Sequence, residues 1–321
     1  MKKKIYLIEP HSHVEVLYRW VQCLEHTSFE WEIITSEQNY TSLSSIYKTD
    51  SHLSYKTLSF PLSLPQEGIL IFISLQTKWK EWRKALKGRT YFLTIHNSNT
   101  WFNPRKRTPF RNTKYNFITY TLKYIKSVFI DSKYRKSLLE NTAAIIPYSS
   151  VFKIPDKFSN KAFSPPVIKQ NTSQKNHLVV IPFYKSCQQY NISFLMDSLI
   201  KYQKKGFNVY ILTNDKNRTL IEGDFHKGIT FFSHPVSMLE YCALISNADT
   251  ICYPIMPKTS FDIYSEVFGK TKYSGWLRDA LEFSCVIDAP SDIHLESPNN
   301  LQTAKEYAHQ FESQLDQLEL L

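Results

Sequence analysis

Glycine is scarce in this chain, at only 7 of 321 residues. Neither G-x-G-x-x-G nor G-x-x-x-x-G-K occurs anywhere in the sequence. Both patterns let a backbone loop approach a phosphate closely, so their absence argues against a standard dinucleotide-binding fold and against a P-loop NTPase. Any phosphate-binding site must be built differently.

Cysteine and long apolar runs are also scarce. The five cysteines include no C-x-x-C pair, which fits neither a disulfide framework nor a cysteine zinc site and predicts a reducing compartment. The first apolar run lasts four residues before Glu9, too short for the core of a signal peptide. No run approaches the roughly 20 residues of a spanning helix. We therefore expect a cytoplasmic protein that can also bind the inner face of the cell membrane.

What the sequence does have is an uneven distribution of charge. Its formal net charge is +10, with residues 1–170 carrying +14 and residues 171–321 carrying −4. Ten basic residues and one acid lie between positions 101 and 136, interleaved with aromatic residues. This basic segment is either a solvated helix face with its aromatics in the core or a surface that binds an anionic membrane. Nucleic acid is a weaker expectation, because no recognised binding motif is present.

Short β-rich apolar runs alternate with longer amphipathic stretches, a pattern typical of βα units around parallel sheets. The predicted fold class is therefore α/β. A proline-containing stretch at 151–176 indicates a linker. We predict an N-terminal domain over residues 1–170, a C-terminal domain over 171–299, and a helical segment over 300–321 that packs back on the first domain. No internal repeat is evident.

The individual elements follow from the same periodicity. The predicted strands are 4–8, 31–35, 69–74, 91–96, 127–130, 144–147, 177–182, 209–213, 229–232, 250–253 and 285–288. The main predicted helices are 14–25, 78–86, 192–206, 238–247 and 275–283.

Two motifs fall at strand ends within this layout. Residues 264–269 read Tyr-Ser-Glu-Val-Phe-Gly, and Ser274-Gly275 and Asp279-Ala280-Leu281 follow before a strand. Thr94-Ile95-His96-Asn97 ends a strand of the first half. These motifs resemble the donor-site signature and the cleft-facing His-Asn pair of GT-B glycosyltransferases, in particular the family 4-like enzymes.

The resemblance extends over the whole chain in layout. It implies two Rossmann-like βα domains that face each other across a cleft, followed by a C-terminal helix. The implied activity is transfer of a sugar from a nucleotide sugar to a glycan or lipid-linked acceptor, in bacterial-type surface polysaccharide or glycoconjugate synthesis. The resemblance implies no cofactor and no metal.

The donor site is predicted in the second half. A loop after the strand at 250–253 leads to a helix that begins near Ser274-Gly275, where a diphosphate would meet free backbone N–H groups. By the resemblance Glu266 contacts the donor sugar as a catalytic residue, and Asp279 contacts the ribose. The predicted donor-binding residues are Lys185, His234, Tyr264, Gly269, Lys270, Lys272, Ser274, Gly275 and Asp279.

The acidic motif departs from the family pattern. Retaining relatives commonly carry two glutamates separated by seven residues, whereas Ser274 stands eight positions after Glu266. Asp279 then takes the place of the second acid, as though five residues had been inserted. Ordinary structural roles also fit these residues, such as a helix N-cap for Ser274 and a surface helix charge for Asp279.

The first half supplies the predicted acceptor side. His96 is the catalytic candidate, because an imidazole at a strand end beside Asn97 can bind a sugar hydroxyl or move a proton; a core histidine is the alternative. His11 and His13 follow the first strand, and their alternation leaves only one pointing at a ligand if the segment is extended. Together with Glu9 they lack the spacing of a defined metal site.

Two other functions fit the sequence. One is a GT-B-fold protein that binds carbohydrate or acts as an adaptor without catalysis. The other is a basic nucleic-acid-binding protein. The departure from the regular acid pair favours the first of these over the second.

Overall fold

A computed structural model describes parts of the first domain and most of the second. The described residues are 4–11, 13–46, 55–57, 64–74, 79–87, 91–95, 127–130, 178–184, 187–221, 229–232, 236–261, 264–268, 275–293 and 304–317. The domain boundaries predicted at 170/171 and 299/300, and the strand predicted at 144–147, lie outside these residues.

The first sheet has six parallel strands in the order β3-β2-β1-β4-β5-β6. Its strands are β1 (Ile5–Glu9), β2 (Trp31–Thr35), β3 (Tyr55–Thr57), β4 (Ile69–Phe72), β5 (Tyr91–Ile95) and β6 (Ser127–Ile130). The central strands β1 and β4 are almost wholly apolar and buried, as expected of parallel strands covered on both faces.

The second sheet repeats this arrangement with five parallel strands in the order β13-β10-β7-β8-β9. Its strands are β7 (Leu178–Phe183), β8 (Asn208–Thr213), β9 (Ile229–Phe232), β10 (Thr250–Cys252) and β13 (Val286–Asp288). Between β10 and β13 the chain forms an antiparallel hairpin of β11 (Lys258–Phe261) and β12 (Tyr264–Val267). The prediction of a loop over this stretch is wrong, because residues 258–261 and 264–267 pair with each other.

Eight α-helices lie in the described residues. They are α1 (Val14–Leu24), α2 (Glu37–Ile46), α3 (Trp79–Ala85), α4 (Ile192–Lys204), α5 (Asp215–Arg218), α6 (Met238–Ser246), α7 (Gly275–Glu282) and α8 (Ala304–Gln317). Local signals start several of them: the Asn191 side chain accepts from the Phe194 N–H at the start of α4, and Ser237 and Glu240 form a capping box at the start of α6. None of the described helices is long and apolar enough to cross a membrane.

Alternating residues of β7 fill the two faces of the second sheet. Val179, Ile181 and Phe183 pack toward α4, whereas Val180 packs toward α6 and α7. In the first domain Ile5 and Leu7 pack toward α1. Both domains therefore place their first helix over the same face of the first strand.

Helix α8 completes the core of the first domain. Phe311 meets Trp20 of α1 edge to face with ring centroids 5.5 Å apart, and it also meets Phe29. The backbone N–H of Ser28 donates to Glu312 at 2.9 Å. The last described helix thus packs on the first domain, although it follows the second in sequence.

The end of the first strand is held in the same way in both domains. Thr35 Oγ1 donates to the Glu9 carbonyl at 2.7 Å, and Asn39 Nδ2 to the same carbonyl at 3.5 Å. Thr213 Oγ1 and Asn217 Nδ2 donate to the Phe183 carbonyl at 3.3 and 2.6 Å. These residues lie in the matching segments Thr-Ser-Glu-Gln-Asn (35–39) and Thr-Asn-Asp-Lys-Asn (213–217).

Candidate functional site

Both sheets reverse their direction of growth beside the first strand. In the first sheet β2 and β3 extend to one side of β1, and β4 begins the other side; β7 and β10 form the corresponding pair in the second sheet. Ligands of such sheets bind beyond the carboxyl ends of the strands at this switch point. The residues after β1 and β7 are therefore the first places to look for a site.

Glu9 is the most unusual residue at the switch point of the first sheet. Its side chain is completely buried. Oε1 accepts from the backbone N–H of His11 at 2.6 Å and from Ser74 Oγ, just beyond β4, at 2.9 Å. Burial raises the pKa of Glu9, although the His13 charge and these two donors act in the opposite direction. The carboxyl joins the ends of β1 and β4.

His11 and His13 stand in the loop between β1 and α1 and are both partly exposed. Asn39 Nδ2 donates to the His11 carbonyl at 3.0 Å, which fixes this loop. His13 Nδ1 lies 3.3 Å from Glu15 Oε1. Burial lowers the pKa of His13, but the hydrogen bond to Glu15 and the charges of Glu15 and Glu9 outweigh it and raise the pKa overall. The loop thus holds a histidine that readily carries a proton.

A buried ion pair joins the two domains one turn further along α1. Arg19 Nη2 donates to Asp279 Oδ1 on α7 at 2.6 Å, and both side chains are at most 5% exposed. The Tyr241 hydroxyl of α6 donates to the other oxygen, Oδ2. Burial and the Asp279 charge raise the pKa of Tyr241 well above its ordinary value, so the hydroxyl stays a donor. We call Arg19, Asp279 and Tyr241 the interdomain cluster.

Helix α7 begins at Gly275, as predicted. A methyl group built on Gly275 would meet no other atom of the described residues within 4 Å. The described residues therefore leave space beside the Cα of Gly275, and the first N–H groups of α7 have no partner within the helix itself. Asp279 lies one turn further along, so the interdomain cluster sets the position of this helix relative to α1.

The structure does not describe the remaining predicted site residues fully. His96, Asn97, Lys185, His234, Gly269, Lys270, Lys272 and Ser274 lie outside the described residues. Tyr264 and Glu266 lie on β12, where Glu266 pairs in register with Thr259, but their side chains are not described. Among the described residues, no three His, Cys, Asp or Glu side chains are grouped so as to hold a metal ion.

Comparison with known proteins identifies the architecture. No protein-family model and no curated protein matches the sequence. The solved structure of a UDP-N-acetylglucosamine 2-epimerase from Rickettsia bellii matches with a TM-score of 0.56 at 11% identity, over 100% of this chain and 96% of the other. The chain has the GT-B fold.

Two further structures have the same GT-B fold. A UDP-N-acetylglucosamine 2-epimerase described as putative, from Listeria monocytogenes, matches with a TM-score of 0.57 at 13% identity, over 99% of this chain and 88% of the other. An E. coli trehalose-6-phosphate protein bound with UDP-2-fluoro glucose matches with a TM-score of 0.55 at 8% identity, over 97% and 91%. The two-domain GT-B fold predicted from the sequence is thus confirmed.

Within this GT-B fold, Asp279 has partners that sequence reasoning missed. The sequence predicts a contact with the donor ribose, whereas the described contacts of Asp279 are with Arg19 and Tyr241. Arg19 is the more informative omission, because a buried arginine in an apolar helix requires an acid partner. That signal was present in α1, but it did not say where along the chain the acid lies.

Proposed function

We propose that this chain is a glycosyltransferase that moves a sugar from a nucleotide sugar to a glycan or lipid-linked acceptor, without a metal. One observation carries the proposal: the Arg19–Asp279 ion pair ties α1 to α7. The loop with His11 and His13 precedes α1, and Gly275 opens α7. The acceptor-side loop and the donor-side helix thus belong to helices that contact each other across the domains.

The donor diphosphate would bind at the start of α7. The open backbone at Gly275 and the positive end of the helix dipole suit an anion there. Three lysines would stabilise the departing diphosphate in place of a metal. Lys270 and Lys272 come shortly before α7 in the sequence, and Lys185 follows β7. The E. coli structure bound with UDP-2-fluoro glucose supports a uridine nucleotide as the first donor to test.

The transfer itself would involve residues of both domains. We propose His96 and Glu266 as the catalytic residues. The further donor contacts are Tyr264, His234, Gly269 and Ser274, and the acceptor contacts are Asn97, His11 and His13. Asp279 is left out of the donor contacts, because Arg19 and Tyr241 already bind both of its carboxylate oxygens. The raised pKa of His13 suits a residue that holds a proton near the acceptor. The bond from the sugar C1 to the phosphate oxygen breaks and a bond from C1 to the acceptor oxygen forms. The acceptor hydroxyl gives its proton to His96, and the nucleoside diphosphate leaves with the bonding electron pair.

The positive charge of the first half supports a lipid-linked acceptor. The basic segment at 101–136 would attract anionic headgroups by about 1 kcal/mol for each nearby Lys or Arg. Surface polysaccharide and glycoconjugate synthesis at the inner face of the cell membrane is the setting that combines a nucleotide sugar with such an acceptor. Salt-sensitive flotation with anionic vesicles, and none with neutral ones, would support this part.

Calorimetry with UDP, GDP, UDP-glucose and UDP-N-acetylglucosamine tests the donor site. Lys272→Ala and Gly275→Val should each weaken nucleotide binding by about 10-fold or more, because one removes a charged phosphate contact and the other fills the backbone approach. Lys205→Ala is the matched control, an exposed lysine of the same domain just after α4, and should bind as the wild type does.

The outcomes separate three functions. Equal nucleotide affinity in both variants, with unchanged melting temperatures, would remove the donor site. Nucleotide-sugar binding without turnover against any acceptor would favour the non-catalytic carbohydrate-binding alternative. Preferential binding of RNA or DNA over all four nucleotides would favour the nucleic-acid alternative.

A further inference from the structure

The residue at the start of α1 departs from the usual rule for a helix N-cap. His13 is the N-cap residue of α1, and its side chain makes no capping hydrogen bond. The equivalent residue of the second domain is Asn191, whose side chain accepts from the Phe194 N–H at the start of α4. Asparagine is among the favoured N-cap residues, and histidine is not. Folding alone would therefore favour an asparagine or a serine at this place.

The His13 side chain is directed instead to Glu15, in the first turn of α1. Its Nδ1 lies 3.3 Å from Glu15 Oε1, and the two side chains are 27% and 36% exposed. The positive end of the helix dipole opposes a proton on His13. Burial also lowers the pKa of His13, but Glu15 and Glu9 outweigh it and raise the pKa overall. The pair thus keeps a charged histidine at a position that a ligand can reach.

Glu15 interacts with the domain contact as well as with His13. Arg19 comes four residues after Glu15 on α1, the spacing at which opposite charges lie on the same face of a helix. Burial raises the pKa of Glu15, but the hydrogen bond and charge of His13, the backbone N–H of Glu15 and the charge of Arg19 outweigh it and lower the pKa overall. Arg19 therefore acts on the same carboxylate that holds His13.

Arg19 extends this connection into the second domain. Its Nη2 donates to Asp279 at 2.6 Å in a buried contact, and Tyr241 donates to the other carboxylate oxygen. Burial raises the pKa of Asp279, and the Glu15 charge adds to this effect, against Arg19 and Tyr241. Positive and negative side chains thus alternate from the loop after β1 to α7, in the order His13, Glu15, Arg19 and Asp279.

The first helix of the second domain has different residues at these positions. Counted from the N-cap, the residues of α4 that correspond to Glu15 and Arg19 are Ser193 and Asp197, and both are exposed. The two helices cover the same face of the first strand in their domains. The architecture therefore does not require the alternating charges, which belong to the first domain and its contact with the second.

We propose that Glu15 is a positioning residue: it holds the imidazolium of His13 in place for the ligand of the first domain, and the Arg19–Asp279 pair sets how strongly it does so. The contact between the domains is thereby transmitted to the loop after β1. The inference rests on the proposed function in one respect: there, the ligand that meets His13 is the acceptor of the transfer. The charge of His13, and with it the binding of the acceptor, then depends on the domain contact.

Charged side chains of three elements act on His13 or on its partner within the described part of the chain. They are Glu9 at the end of β1, Glu15 and Arg19 on α1, and Asp279 on α7, and His11 is the other histidine of the loop. By their sign the three carboxylates favour the proton on His13, and Arg19 opposes it. Removal of one charge should therefore move the pKa of His13 in a direction that a loss of packing would not reproduce.

A nuclear magnetic resonance titration of the full chain measures this direction. Histidine is labelled with ¹³C at Cε1, and His13→Gln identifies the His13 signal. Glu15→Gln should lower the pKa of His13 by about 0.5 or more, and Glu15→Asp, which keeps the charge, should lower it less. The matched control is Glu37→Gln, which changes an exposed acid in the first turn of α2 and should leave the pKa of His13 unchanged.

The same titration tests the link to the second domain. Arg19→Met should raise the pKa of His13 by about 0.2 or more, because it removes the opposing cation, and Asp279→Asn should lower it, because Arg19 is left uncompensated. Asp279→Asn keeps the shape of the side chain, so it tests the link even where Arg19→Met does not fold. The exposed His309 of α8 should give the same signal in every variant.

Thermal unfolding should show the same dependence on pH. A histidine whose folded-state pKa is raised contributes stability that is present at low pH and is lost as the pH rises through the folded pKa. At about pH 5.5, Glu15→Gln should therefore lower the melting temperature by about 2 °C or more beyond the effect of Glu37→Gln. This difference should shrink toward about pH 9.

Two results would overturn the proposal: a His13 signal unmoved by Glu15→Gln, or shifts in Arg19→Met and Asp279→Asn that are absent or of equal sign. Neither result depends on a nucleotide, so normal binding of UDP beside them would leave the donor site of the proposed function intact. The expected shifts in a chain that binds no nucleotide would keep the role of Glu15 and remove glycosyl transfer.

Discussion

The two domains hold the end of their first strand with the same side chains, yet they place different side chains at that end. Thr35 and Asn39 serve the first domain as Thr213 and Asn217 serve the second. The residue that is held is a glutamate in one domain and a phenylalanine in the other. The shared hydrogen bonds belong to the scaffold, because they hold the strand end whichever side chain stands there.

The first helices of the domains differ in a related way. Nine of the eleven residues of α1 are buried, against four of the thirteen residues of α4. Helix α1 is buried because its own sheet, α8 and the second domain all pack against it. The charged side chain of Arg19 on this helix is buried as well. Helix α1 contributes the buried ion pair of the domain contact, and α2 of the same domain packs on α6 of the second domain.

Breaking that contact should have the largest effect on stability. Arg19→Met leaves Asp279 as a buried charge without its cation, which should cost about 3–5 kcal/mol. The double variant Arg19→Met/Asp279→Leu should recover most of this loss. Thermal unfolding measures both, with Lys201→Ala as control, because the Lys201–Asp288 pair lies within one domain and its lysine is 47% exposed. A loss no greater than that of the control would contradict a structural role for the interdomain cluster.

Two glycines offer the next comparison between the domains. Gly68 before β4 has φ +101°, and a methyl group there would lie 2.6 Å from the Lys4 carbonyl oxygen. Gly206 after α4 has φ +70° and open space around it. Gly68→Ala should cost about 2–4 kcal/mol from backbone strain and overpacking, and Gly206→Ala about 1 kcal/mol from strain alone. Urea unfolding that gives equal losses would show that the close approach at Gly68 relaxes at little cost.

A smaller loss of stability than in Gly68→Ala is expected from substituting the two asparagines at equivalent positions of the domains, Asn39 and Asn217. Asn39→Ala and Asn217→Ala each remove one of the two side-chain donors at the end of a first strand, and each should cost about 1–2 kcal/mol. Only Asn39→Ala should also alter the loop of His11, because Asn39 Nδ2 reaches the His11 carbonyl. Amide hydrogen exchange in residues 10–13 should therefore rise in Asn39→Ala and stay unchanged in Asn217→Ala.

Much of the fold follows from the sequence, because buried parallel strands produce short apolar runs. The strands β2, β6 and β9 begin and end where their hydrophobic pattern predicts, and α1 differs from prediction by one residue at its end. Helix α2 was missed because its ten residues include only three large apolar ones, among serine, threonine and asparagine. The β11–β12 hairpin was missed because each strand has four residues, of which only one or two are apolar.

The site was harder to predict, because its contacts are not local. Asp279 meets Arg19 across 260 positions, and no periodicity encodes which acid a buried arginine meets. Glu9 looks like the polar end of an apolar strand until the structure shows that it is buried. The segments 35–39 and 213–217 share only a threonine and an asparagine four positions later. This pattern is too short to recognise as a repeat in the sequence, yet it marks equivalent places in the two domains.

The packing of α8 on α1 has a consequence for synthesis of the chain. The apolar face that Trp20 and Phe29 present is covered by Phe311, which leaves the ribosome about 290 residues later. At a synthesis rate of roughly 5–20 residues per second, that face stays exposed for about 15–60 s before Phe311 can cover it. The first domain to be made is thus the last to complete its core, and the apolar face of α1 stays exposed until α8 has been made.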